Sequence, residues 1–193
     1  ISLAVDKAGN LFAGTDANGI VLRITPEGKA FAVLDAALRE IHELAISPDG
    51  SVYALALSEA ASTTRPNPTT ATGTAADGST VVVSVTSVEG AETPQPPKSR
   101  YDLTLAKSAV YRILPDGGFD IIWKSDEITA FSVYAHLTGN GVLIGTSDKG
   151  RIHSVRNDGQ TSLVLQTDEE QVSTIKTFGN RLFATTSNQG KFF

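Results

Sequence analysis

The chain has 193 residues, 40% of them hydrophobic, with a formal net charge of −5 at pH 7. No run of Lys or Arg exists to meet a phosphate backbone, so nucleic acid is not an expected partner, and no apolar stretch is long enough to insert in a membrane. Cysteine is absent, which excludes disulfides, thiolate metal sites and cysteine nucleophiles; methionine is absent too, and no signal peptide is visible.

In chain order, strand signals fall at about 2–5, 11–15, 20–25 and 30–35. The turns between them are Asp6-Lys-Ala-Gly9, Thr15-Asp-Ala-Asn-Gly19 and Pro26-Glu-Gly28. Glycine and Asn supply positive φ in such turns, and Pro presets φ before them. The pattern restarts at Ile41 with IHELAIS and SVYALALS, then breaks at residues 59–107. Within that stretch, STTRPNPTTATGTAADGS is too poor in apolar residues to offset its ordering entropy and is expected to be a mobile loop. TVVVSVTSV at 80–88 is β-branched and reads as a strand, either flanking a sheet or open to pairing with a partner or neighbouring subunit. AETPQPPKSR should be extended. The pattern resumes with SAVYRILP and GFDIIWKS, continues through FSVYAHL, GVLIGTSD, GRIHSVRN and TSLVLQT, and ends with VSTIKTF, RLFATTSN and GKFF.

These segments are repeats. LFAGT, VYALA, VLIGT and LFATT start 41, 90 and 40 residues apart, and the following IVLRI, AVYRI, RIHSV and KFF start 89, 42 and 40 apart. One interval therefore holds an insertion of roughly 48 residues, between Leu57 and Ala109. A period near forty with four short strands per unit is the signature of β-propeller blades. The expected fold is an all-β propeller of four-stranded antiparallel blades, with about 3.5 to 4 blades present. Blade one spans about 1–37 and blade two about 41–125 with the insertion at 59–107. Blade three spans about 129–167, and a partial blade four 171–193. Both termini fall inside strand signals, so a segment of a larger propeller is expected. An open arc would expose two blade faces, and about five apolar side chains on each, at roughly 1.5–3 kcal/mol apiece, is comparable to the whole stability of a domain. More blades, two arcs meeting by self-association, or closure of the fourth blade on the first would each cover them.

LAVDKAGNLFAGT…GIVLRITPEGK resembles the blades of NHL-type and streptogramin-lyase-like propellers, and those of sensor propellers in bacterial periplasmic and extracellular proteins. The resemblance implies an extracellular or periplasmic setting. It covers lyases, lactonases, ligand sensors and interaction scaffolds alike.

In such a fold the loops joining second to third strands share one face with the inter-blade connections. Asp16, Asp126, Glu127, Asp148, Asp168, Glu169 and Glu170 should then share a rim with Asn18 and Asn188. They are either solvated turn residues or a rim for a divalent cation or cationic ligand. His42 and Glu43 open the innermost strand of blade two, and one of them should face the central channel, where a His beside a carboxylate can exchange protons. The candidate ligand-binding set is Asp16, Asn18, His42, Glu43, Asp126, Asp148, Asp168 and Asn188, with no catalytic residue, metal ligand or cofactor assigned. His136, His153 and Trp123 read as structural, and no GxSxG elbow is present. The expected function is a non-enzymatic binding module for a protein or small molecule. The alternative is a metal-assisted lyase or lactonase at the channel mouth.

Overall fold

A computed structural model describes residues 2–58, 99–136, 138–179, 181–187, 190 and 193. Fourteen strands occur among them, and no helix. The first antiparallel sheet runs β1 (Ser2–Val5), β2 (Leu11–Gly14), β3 (Ile20–Ile24), β4 (Ala30–Asp35), each strand bonded to the next. The second runs β5 (Glu40–Ile46), β6 (Val52–Leu57), β7 (Ser108–Ile113), β8 (Phe119–Ser125). The third runs β9 (Ala130–Ala135), β10 (Val142–Thr146), β11 (Arg151–Val155), β12 (Thr161–Gln166). β13 (Val172–Phe178) and β14 (Arg181–Thr186) pair in a fourth sheet, and Phe193 exchanges both backbone bonds with Ala184, at 2.9 and 3.1 Å, where a third strand would start.

The sheets pack through their first strands, β1 on β5, β5 on β9 and β9 on β13. Three apolar clusters fill the seams. Phe12, Val21, Leu34 and Ile41 meet Tyr111 and Ile121 between sheets one and two. Tyr53, Leu55 and Val110 meet Val133 and Ile144 in the next seam, with Trp123 packed against them. Leu143, Ile152, Val172, Ile175 and Ala184 form the third. β6 and β10 are buried along their whole length because a sheet covers each side, so they read as unbroken apolar runs. The fourth sheet does not cover the first: Leu3 and Val5 on the outward side of β1 are 61% and 64% exposed.

The 80–88 strand signal and the low-complexity loop lie outside the described residues. The end of the inserted stretch, 99–107, is anchored to the core: Leu103 and Ala106 are buried in the first seam, and the Tyr101 hydroxyl donates to Asp120 at 2.9 Å.

Candidate functional site

β2–β3 loops and sheet-to-sheet connections meet on one face, held by main-chain bonds. Ile41 N donates to Thr15 O at 2.9 Å, Ser147 N to Thr129 O at 2.9 Å, and Ser187 N to Gln171 O at 3.0 Å. Thr15 closes its own loop by accepting from Ile20 N and donating to Ile20 O, and Thr146 donates likewise to Arg151 O. Gly19 and Gly150 sit at φ 62° and 53°, each tight against the connection that follows its sheet. A side chain at Gly19 would fall on the Leu38 carbonyl, and one at Gly150 on Thr167.

Asp16, Asn18 and Asp168 are exposed on this face. Asp148 pairs with Arg151 of its own loop, and Asp126 lies 3.7 Å from Lys124 Nζ. Glu169 departs from the solvated rim expected for it: it is buried, and its N–H donates to Thr167 Oγ1 at 3.2 Å. Asn188 lies outside the described residues. Among the described residues no three His, Asp or Glu side chains converge to hold a metal ion. Beside the rim a cavity of about 460 Å³ opens between the 37–39 connection and residues 101–106. Tyr101, among its lining residues, is 57% exposed, and Leu105 in the same segment is 65% exposed.

At the channel mouth His42 occupies a bulge in β5: Ile41 pairs with Ala56 and Glu43 with Leu55, leaving His42 as the extra residue. Its carboxylate partner is Glu40 rather than the adjacent Glu43, with Nδ1 2.8 Å from Oε1. The ring stands edge-on to Phe131 of the next sheet, centroids 6.0 Å apart and planes at 78°. The i, i+2 spacing of Glu40 and His42 was the signal for this pair, since alternate strand residues share a face. Glu43 does different work. Its Oε2 accepts from Val133 N of β9 at 2.7 Å, and its Oε1 meets Lys176 Nζ of β13 at 2.8 Å. It belongs to a series: Ser2 Oγ accepts from Leu44 N, and Ser132 Oγ donates to Val172 O. The first strands of the first three sheets thus each send one side chain to the exposed backbone edge of the next.

His136 Nε2 lies 3.1 Å from Ser154 Oγ, and burial holds both His136 and His153 below the ordinary imidazole value of 6.5. Below that value the unfolded chain binds more protons than the folded one, so stability falls with acid. The melting temperature is expected to decline as the pH falls below about 6.5. The decline should be shallower in a His136→Asn, His153→Leu chain; an identical slope would assign it to other groups.

No family model and no curated protein matches the sequence. Solved structures do. A gluconolactonase from Xanthomonas campestris, XC5397, superposes with TM-score 0.60 at 14% identity, over 99% of this chain and 57% of its own. A virginiamycin B lyase from Staphylococcus aureus gives 0.54 at 13% identity, over 100% and 53%. The chain is a β-propeller. A nidogen/laminin complex matches the same architecture, TM-score 0.58 at 10% identity over 98% and 57%. The propeller described here thus spans little more than half the length of these neighbours. At such identities they establish the repeated-blade fold and nothing of the chemistry.

Proposed function

We propose that the propeller is a non-enzymatic binding module that takes a protein or small-molecule ligand on its loop-rich face, in the extracytoplasmic setting implied by its family resemblance. The observation that carries this reading is the 460 Å³ cavity beside the rim of that face, with the exposed Tyr101 in its wall and the exposed Leu105 between its lining residues Thr104 and Ala106. Concave sites edged by aromatic and aliphatic anchors suit binding. Glu43, the carboxylate best placed at the centre, is committed to Val133 and Lys176. The competing reading, a metal-assisted lyase or lactonase at the channel mouth, draws on the Glu40–His42 pair, in which a carboxylate orients an imidazole as a general base requires.

A small-molecule thermal-shift screen followed by variants separates the two. Stabilisation by a hit should disappear in Leu105→Asp or Tyr101→Ser and persist in His42→Ala. In parallel, 1,4- and 1,5-lactones supplied with Ca²⁺, Mg²⁺, Mn²⁺ or Zn²⁺ should not turn over above buffer. Metal-dependent hydrolysis lost in His42→Ala would replace the binding reading with the enzymatic one.

A further inference from the structure

The face opposite the loops carries an unmatched arginine, made visible by comparing two blades position for position. In blade two, Arg112 on β7 lies in register with Tyr53. Its guanidinium donates to Asp49 Oδ2 at 3.0 Å and to Ser51 Oγ at 3.2 Å. The Tyr53 hydroxyl donates to Asn157 Oδ1 at 2.7 Å, and Asn157 Nδ2 donates to Gly139 O at 3.1 Å. The turn end of the seam between blades two and three is therefore closed by polar bonds.

Blade one repeats the backbone. Arg23 on β3 lies in register with Phe12. The turn bonds Asp6 N to Asn10 O and Gly9 N to Asp6 O match Ser47 N to Ser51 O and Gly50 N to Ser47 O. The side chains differ: Ala8 stands where blade two has Asp49, Phe12 where it has Tyr53, and Pro115 where the next seam has Asn157. Asn10 stands where blade two has Ser51, with its amide turned to Asp6, so the arginine is kept without the carboxylate that Asp49 gives Arg112.

A cavity of about 250 Å³ results, with Phe12, Arg23, Val33, Val52 and Ile113 in its wall beside the polar Asp6 and Asn10. Arg23 Nε is buried without a hydrogen-bond partner, and Arg23 forms no ion pair among the described residues. Asp6, whose carboxylate feels the arginine's charge, spends its oxygens on Ala8 N, Asn10 N and Asn10 Nδ2. A buried charged donor without an acceptor is costly, and a ligand oxygen would remove that cost.

We propose that this seam binds a short-chain carboxylate, its oxygens on Arg23 where Asp49 lies on Arg112, its alkyl chain against Phe12, Val33, Val52 and Ile113. The cavity equals on the order of eight water-sized volumes, which suits a chain of about four carbons. The site lies on the opposite face from the cavity at Tyr101 and stands independently of the function proposed there.

The test is calorimetric titration with acetate, butyrate and hexanoate at constant ionic strength, with butyramide as the uncharged match. Butyrate should bind and butyramide should not. Ala8→Asp places the chain's own carboxylate at the blade-two position, on an exposed turn residue. It should weaken butyrate at least tenfold and raise the melting temperature by about 2–4 °C. Arg23→Gln should also abolish binding. No binding by any of the three acids, equal binding of butyramide, or undiminished butyrate binding in Ala8→Asp would each overturn the proposal.

Discussion

Gly145→Leu is expected to destabilise the propeller by about 3 kcal/mol or more, and adding Val172→Ala to recover part of that loss. A Cβ at Gly145 would fall on Ser132 Oγ and stand 2.6 Å from Val172 Cγ1 and 2.8 Å from Val172 Cβ, inside any real contact distance. Gly14 has the same relation to Ile41, whose Cβ would be 2.8 Å away. Yet the corresponding residue of blade two is Leu55, fully buried, and it is accommodated because the next blade offers Ala130. The three seams thus combine glycine with Ile41, leucine with Ala130 and glycine with Val172: a large residue on one side and a small one on the other. Gly145→Leu with Val172→Ala copies the leucine–alanine pair of the second seam into the third, with Ser132 still opposite position 145 where blade two has Glu43. Alone, Val172→Ala should cost about 2 kcal/mol for the lost methyls and the space they leave. In urea unfolding the double variant should be more stable than the sum of the single losses by about 1–3 kcal/mol. Strict additivity would mean that the third seam relaxes without regard to volume.

Glu43→Ala should cost about 2–3 kcal/mol, because it strips the acceptor from Val133 N at the backbone edge of β9. The ion pair to Lys176 contributes less. Lys176 is 65% exposed on its side chain, and solvent screens such a pair to below about 1 kcal/mol. The expected order of loss is therefore Glu43→Ala, then Glu43→Gln, which keeps an oxygen for Val133 N, then Lys176→Ala. A Lys176→Ala loss equal to that of Glu43→Ala would make the charge pair, rather than the main-chain bond, the tie between the blades.

The channel mouth shows how far reading along the chain reaches. His42 and Glu43 are adjacent in sequence and invite treatment as one unit. The bulge in β5 separates them: His42 turns to Glu40 and Phe131, while Glu43 reaches the backbone edge of β9 and the Lys176 side chain of β13. A bulge depends on the partner strand's register, which a single segment does not encode strongly. Leu103 and Ala106 teach the same lesson. They end a stretch with no apolar period, and only the first seam gives them a place in the core. Glu169 lies among acidic turn residues and is nonetheless buried.

The sequence by itself determined the repeat, the position of the insertion and the blade architecture. Turn chemistry and strand alternation are local, and Gly50 or Pro26 acts within a few residues of itself. It also aligned Arg23 with Arg112 as equivalent positions. Only the tertiary structure decided that Arg112 is matched and Arg23 is not, that Leu55 fits where Gly145 must be small, and that Glu43 ties backbone edges together. The first depends on a turn of the arginine's own blade that is distant from it in sequence, and the other two on what the neighbouring blade presents across the seam, where packing admits only side chains whose volume and charge are answered from the other side.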